Sequence, residues 1–177
     1  TLVSIGWRAA EIETSLKKLS PVLGRMDVLR RAKHPTIVVD YAHTPDALEK
    51  ALFAVREHFS HHHISCIFGC GGDRDSSKRS IMGQVASRFA DRVVLTSDNP
   101  RSENPESIIR EIQKGVEGAD VHVNADRAEA IREAIYSASE NEIIVIAGKG
   151  HEDYQELASG RVPFSDHEVI DEVMSAG

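Results

Sequence analysis

Four short segments hold most of the residues whose types could do chemistry. They are Asp40-Tyr41-Ala42-His43-Thr44-Pro45, Gly69-Cys70-Gly71-Gly72-Asp73-Arg74-Asp75, Ser97-Asp98-Asn99-Pro100-Arg101 and Ala147-Gly148-Lys149-Gly150-His151-Glu152-Asp153. Together they supply Arg74, Arg101, Lys149, His43, His151 and several carboxylates. A planar guanidinium matches a carboxylate through two parallel N–H bonds, and a carboxylate pairs with an ammonium. Such a mixed set suits a ligand that carries both carboxylate and ammonium groups. Singly, each residue has a second reading. Asp98-Asn99 before Pro100 would also end a strand, Arg74 and Arg101 would also serve as surface ion pairs, and His43 would also cap a helix. The argument for a site is that all four segments follow strands.

The glycines do not form a standard nucleotide motif. Gly69-Cys70-Gly71-Gly72-Asp73-Arg74 has arginine where G-x-G-x-x-G needs its third glycine. Gly148-Lys149-Gly150-His151 lacks the spacing of G-x-x-x-x-G-K-[ST], so if ATP is used, another domain must hold most of the triphosphate. Lys149 is open between a phosphate contact and a surface position. His61-His62-His63 lies in a polar loop and reads as exposed histidines rather than a metal site.

The elements that must position these segments alternate regularly. Thr36–Asp40, Ile64–Phe68, Val93–Ser97, Val121–Val123 and Ile143–Ala147 read as strands, mostly apolar and β-branched throughout, as parallel strands covered on both faces are. Met26–Arg31 is more polar and joins Thr36 through Lys33-His34-Pro35, which predicts an antiparallel edge strand. Thr44-Pro45 and Asn104-Pro105 predict helix starts. Asp126-x-x-Glu129 and Ser165-x-x-Glu168 resemble capping boxes. Leu48, Leu52, Val55 and Phe59 form one apolar stripe; Ile81, Met82, Val85 and Phe89 a second; Ile108, Ile109, Ile112 and Val116 a third. The alternation predicts a doubly wound α/β sheet of about six mostly parallel strands, with helices on both faces. Ligands then bind beyond the carboxyl ends of the strands, where the four segments lie. Residues 1–23, with a stripe of Ala9, Ile12, Leu16 and Leu19 stopped by Ser20-Pro21, read as the tail of an upstream domain and a linker. Residues 24–177 read as the α/β domain.

Composition sets the outer limits. The chain has 177 residues, 41% hydrophobic and 28% charged, which is ordinary for a globular fold. A formal net charge of −7 argues against non-specific nucleic-acid binding. There is no apolar run long enough to predict a membrane span. Cys66 and Cys70 fall in one apparent strand, roughly 13 Å apart at Cα, too far to bridge. They read as buried free thiols of a reducing cytoplasm.

With these motifs in place, the chain resembles the C-terminal domain of the Mur ligases, and within that family the diaminopimelate-adding branch. The resemblance rests on Gly24-Arg25-Met26, Asp40–Leu52, Phe68–Asp75, Ser97–Arg101 and Ala147–Gln155, in family order. It implies a Rossmann-like lobe of a cytoplasmic enzyme of peptidoglycan synthesis. Such an enzyme uses ATP and Mg²⁺ to join meso-diaminopimelate to UDP-N-acetylmuramoyl-L-alanyl-D-glutamate through an acyl phosphate. The resemblance places the phosphate loop, the main magnesium ligands and a carbamylated lysine in a central domain, so no catalytic residue is assigned here and this stretch alone is expected to be inactive. It implies that Arg74 binds a carboxylate of diaminopimelate. It also implies that Asp98, Asn99, Pro100 and Arg101 recognise the distal end, with Gly148 and Glu152 completing the pocket. Asp40, His43 and Arg25 would face the nucleotide or the interdomain hinge. Lysine in the same site would leave Arg101 unpaired, a penalty of roughly 1–3 kcal/mol. The loop Ser60–His63 departs from the family pattern, far from the motifs. Folylpolyglutamate synthases, cyanophycin synthetases and a non-catalytic amino-acid-binding module are the competing readings.

Overall fold

A computed structural model describes residues 23–176. The stripe over residues 9–19 and the Ser20-Pro21 stop lie outside these residues.

In chain order the elements are β1 (Asp27–Leu29), β2 (Thr36–Asp40), α1 (Pro45–His58), β3 (Ile64–Phe68), α2 (Lys78–Phe89), β4 (Arg92–Leu95), α3 (Pro105–Gln113), β5 (Asp120–Val123), α4 (Arg127–Ser137), β6 (Ile143–Ala147), β7 (Tyr154–Leu157), β8 (Gly160–Pro163) and α5 (Asp166–Ser175). Six strands form one sheet in the order β1-β2-β6-β3-β4-β5. β1 runs antiparallel to β2, with Asp27 opposite Val39, and the other pairs are parallel. The expected edge strand is therefore present, though shorter than Met26–Arg31.

Alternate side chains of each strand point to opposite faces, and both faces are covered. On one face Val38, Cys66, Phe68, Val93, Leu95 and Val145 pack against α1, α2 and α3. On the other, Ile37, Val39, Ile67, Val94, Ile144 and Ile146 pack against α4 and α5. That is why the strands read as continuous apolar runs. Each fully buried Ile or Leu contributes roughly 1.5–3 kcal/mol.

The N-caps form as read, but the Asp126 capping box is half-made, because the Asp126 N–H donates to Asn124 Oδ1 at 3.0 Å and not to Glu129. Side-chain oxygens of Thr44, Asn104, Asp126 and Ser165 accept N–H bonds from Ala47, Ser107, Glu129 and Glu168. Two stripe residues differ. Ile81 is half-exposed. Val116 lies past the end of α3, because Gly115 and Val116 close tight turns onto Ile112 and Gln113. A Cβ on Gly115 would sit 1.8 Å from the Ser80 carbonyl oxygen, so the helix end and α2 meet backbone to backbone. Thr96 and Ser97, read as strand, follow β4 instead: Ser97 Oγ donates to the Ala125 carbonyl at 2.6 Å and the chain turns toward the site.

β7 and β8 form an antiparallel hairpin apart from the sheet. Nothing in Tyr154-Gln155-Glu156-Leu157 alternates apolar with polar, so no strand signal marked it. No helix among the described residues is long and apolar enough to cross a membrane.

After β3 the chain moves outward to β4 and β5, then returns with β6 between β2 and β3. The loops that follow β2, β3, β4 and β6 leave the carboxyl ends of these strands on one rim of the sheet, and a crevice opens there.

Candidate functional site

The crevice is a cleft of about 430 Å³. The turn after β2 brings Tyr41, His43 and Thr44 to it; the loop after β3 brings Gly71, Arg74, Asp75 and Lys78. The loop after β4 brings Asp98, Asn99 and Arg101; the loop after β6 brings Gly148 and Glu152. All four chemistry-bearing segments therefore meet in one place.

Glycine allows the loops to touch. A Cβ on Gly69 would lie 2.2 Å from the Thr96 oxygen, and one on Gly72 would lie 2.0 Å from the Pro100 oxygen. Gly72 N–H donates to the Asn99 carbonyl at 2.9 Å. The β3 loop is thus fitted to the β4 loop rather than open around a phosphate.

The Asp98–Arg101 loop is held from behind by β7. Gln155 Nε2 donates to the Asp98 carbonyl (2.7 Å), Glu156 N–H to Asn99 Oδ1 (2.9 Å), and Arg101 N–H to the Glu156 carbonyl (2.9 Å). Glu103 N–H donates to the Pro100 carbonyl at 3.0 Å, closing a turn. Arg101 itself sits at φ +51°, a left-handed conformation that L-residues rarely adopt.

Lys149 is not at the surface. It is fully buried, with Nζ 3.0 Å from Glu152 Oε2 and 3.1 Å from Asn99 Oδ1, and 4.0 Å from Asp98 Oδ1. Its ammonium also faces the Tyr154 ring at 5.4 Å. Asn99 Nδ2 donates to Glu152 Oε2 at 3.1 Å, so one lysine and one amide fix the Glu152 carboxylate at the cleft. Tyr41 Oη lies 3.5 Å from Glu152 Oε1; burial and the Glu152 charge push the Tyr41 hydroxyl above the usual tyrosine range.

Asp98 is buried, and burial raises its carboxyl above the usual range, with Arg127 and Lys149 opposing that rise. Gly148 permits the approach: its φ is +115°, and a Cβ there would come within 2.9 Å of Asp98 Oδ2.

Arg101 already has a partner. Its Nε lies 2.9 Å from Glu156 Oε2, and its Nη1 donates to the Gly72 and Asn99 carbonyls at 2.8 and 3.4 Å. The expectation that lysine strands an unpaired Arg101 therefore needs correcting: the protein supplies a counter-charge of its own.

Arg74 is exposed at the rim of the cleft, and Pro100 is buried in its turn outside the lining. The expected nucleotide-facing residues divide. His43 lines the cleft, with Nδ1 2.8 Å from the Tyr41 carbonyl and its ring edge-on to Tyr41. Arg25 lies outside the lining, its guanidinium 4.7 Å above the Tyr41 ring. Asp40 turns away: its carboxylate accepts N–H bonds from Met26 (2.8 Å) and Ala42 (2.9 Å).

The sequence reading did not single out Tyr41, Lys78, Glu156 or the pair Arg127–Asp166. Tyr41 had a signal, lying between Asp40 and His43. Glu156 had none, since its role follows from the unanticipated hairpin.

Comparison with known proteins gives a consistent picture. Residues 24–150 match the family model described as Mur ligase, glutamate ligase domain. The chain is 50% identical over 170 residues to the UDP-N-acetylmuramoyl-L-alanyl-D-glutamate–2,6-diaminopimelate ligase of Haemophilus influenzae, covering 96% of this chain and 35% of that protein. It is 46% identical over 177 residues to the protein of the same name from Chromobacterium violaceum, covering 99% and 36%. A solved structure of a ligase of that name superimposes with a TM-score of 0.81 at 41% identity, covering 98% of this chain and 36% of that one. The chain spans about a third of the length of these relatives.

Proposed function

The chain belongs to the Mur ligase family, whose glutamate ligase domain it contains, and on that premise we propose that it is the lobe that receives the incoming amino acid in a ligase of peptidoglycan synthesis. The amino acid is meso-diaminopimelate, and the acceptor in the whole enzyme is UDP-N-acetylmuramoyl-L-alanyl-D-glutamate. The observation that carries this reading is the charge layout of the cleft. Arg74 on the β3 loop and Arg101 on the β4 loop supply the cations, and Asp98 on the β4 loop and Glu152 on the β6 loop supply the carboxylates, around a single space. A ligand with two carboxylates and two ammonium groups is the complement of that layout.

The reaction class is C–N bond formation by an ATP-dependent, cytoplasmic enzyme. In the family's chemistry a carboxylate is activated as an acyl phosphate and the amino group displaces phosphate. The described residues do not fit a triphosphate cradle, because the Gly72 amide bonds Asn99 and the Arg101 guanidinium caps the Gly72 carbonyl. Nor do they gather a group of metal-ligating side chains. ATP and Mg²⁺ belong, in this reading, to the central domain of the whole ligase, and residues 24–177 form the amino-acid lobe. The share of this lobe is to hold the amino acid. Arg101 and Arg74 take carboxylates, Asp98 and Glu152 take ammonium groups, and Lys149 and Asn99 keep Glu152 in place. Asp40, His43 and Arg25 then form the wall around Tyr41 that faces the nucleotide side, with Asp40 acting through the backbone it ties.

Calorimetric titration of the 177-residue chain tests this. Wild type binds meso-diaminopimelate more tightly than lysine. Arg101→Ala weakens diaminopimelate about 10- to 100-fold, as loss of a charge-assisted pair should, and lysine by less than about threefold. Arg101→Lys recovers part of the loss, because an ammonium keeps the charge without the planar fork. Equal losses for both amino acids would make Arg101 structural and remove the basis of the assignment.

A further inference from the structure

The geometry points to Glu156 as a built-in counter-ion that sets how strongly Arg101 discriminates between amino acids. Glu156 does not line the cleft. It stands behind Arg101 on β7, with Oε2 2.9 Å from Arg101 Nε and Oε1 3.1 Å from Arg161 Nε. Its own N–H donates to Asn99 Oδ1, and its carbonyl accepts the Arg101 N–H. The Arg101 guanidinium thus has Nε against Glu156 and Nη1 on two carbonyls, and Nη2 donates no hydrogen bond to protein among the described residues.

This arrangement has two consequences, both resting on the reading that Arg101 meets a ligand carboxylate. First, when the ligand lacks that carboxylate, Arg101 is still neutralised. The penalty against lysine is smaller than for a stranded arginine. Second, when the carboxylate is present, it meets an arginine whose charge Glu156 already shares. Arg161 acts in the opposite sense: by drawing on Glu156 from the exposed side, it returns part of the positive field to Arg101. Glu156 and Arg161 therefore tune specificity through Arg101 and touch no ligand.

Glu156→Gln keeps an oxygen for Arg101 Nε and removes the charge. A unit charge about 5 Å away, screened nearly as in bulk water because this rim is open to solvent, changes affinity by about threefold to tenfold. Meso-diaminopimelate should therefore bind the Gln variant about threefold to tenfold more tightly. Lysine should bind equally or more weakly, because its ammonium then faces an uncompensated guanidinium. Arg161→Gln, a change at an exposed side chain, should move diaminopimelate the other way, weakening it by up to about threefold. A gain for diaminopimelate with none for lysine, and opposite movement of diaminopimelate in the two variants, is a pattern that a merely structural role for Glu156 would not give. The measurement is titration of the 177-residue chain and both variants with each amino acid at constant ionic strength, beside Arg101→Ala. If Arg101→Ala weakens diaminopimelate selectively while Glu156→Gln leaves it unchanged or weakens it, the counter-ion role is wrong and the site stands. If wild type does not prefer diaminopimelate, or Arg101→Ala is without effect, the reading of the site fails and the counter-ion role falls with it.

Discussion

Asp98 is the residue on which burial and function pull in opposite directions. An ammonium ligand needs it ionised, while burial holds its carboxyl above the usual range. The cleft contains other carboxylates that behave differently: hydrogen bonds from Ser77 hold exposed Asp75 below the usual range. The sign for stability follows from proton counting. A native acid with a raised pKa holds its proton where the unfolded chain has lost it. Folding is then favoured at the acid end, and that advantage is lost as pH rises from about 3.9, the unfolded value, through the raised native value. Asp98→Asn carries no such titration. We expect Asp98→Asn to lose its disadvantage, or gain an advantage, relative to wild type as pH rises through this window. Ligand affinity of wild type should fall as pH is lowered into the same window, whereas that of the variant should be flat. Urea unfolding and ligand titration at several pH values measure both. A stability difference independent of pH would show that Asp98 titrates normally.

Among the elements, the two helices on the far face are tied to the site by one buried ion pair. Arg127 and Asp166 are the first residues of α4 and α5, and both side chains are fully buried. Their contact is bidentate, Nε to Oδ1 at 2.8 Å and Nη2 to Oδ2 at 2.9 Å. Arg127 also donates to the Ala147 carbonyl at 3.1 Å and the Ser97 carbonyl at 3.4 Å, the chain ends that lead into two of the cleft loops. A helix N-terminus favours Asp166 and disfavours Arg127, so the arginine depends on its partner. Arg127→Met leaves a buried aspartate uncompensated and should destabilise the domain by about 3–5 kcal/mol. The double variant Arg127→Met with Asp166→Leu should recover a substantial part, because no charge is left buried. Chemical denaturation of the single and double variants decides the matter. A double variant at least as unstable as the single would mean that the carbonyl contacts of Arg127, and not the ion pair, hold the helices.

For the molecule as a whole, what the sequence made legible depended on whether a residue's role was local. Strands β2, β3 and β6 were read to the residue because both of their faces are buried, and the helix starts because each cap is made by the next few residues. The four cleft segments were legible because strand ends converge in this topology. The Lys149–Asn99 contact, Glu156 and the Arg127–Asp166 pair were not, because their partners lie far away in sequence or on a hairpin without periodicity. The same nested burial governs how the domain opens. Cys66 lies inside β3, between β6 and β4, while Cys70 lies in the loop beyond it, 3.6 Å from Met82 Sδ. Burial pushes both thiols up to about 12, so neither is a ready nucleophile near neutral pH. Labelling must wait for opening. Cys66 is released only when the central sheet separates, and should label at the rate set by global unfolding. Cys70 is released by a smaller movement of the β3 loop, which the Gly72–Asn99 bond and the Arg101 guanidinium hold in place. In dilute thiol reagent we therefore expect Cys70 to label at least about tenfold faster than Cys66, a difference of 1.4 kcal/mol in opening free energy. Arg101→Ala should speed Cys70 and leave Cys66 nearly unchanged. Mass spectrometry of the labelled peptides over time reads both rates, and equal rates would show that the cleft loops and the sheet open as one unit.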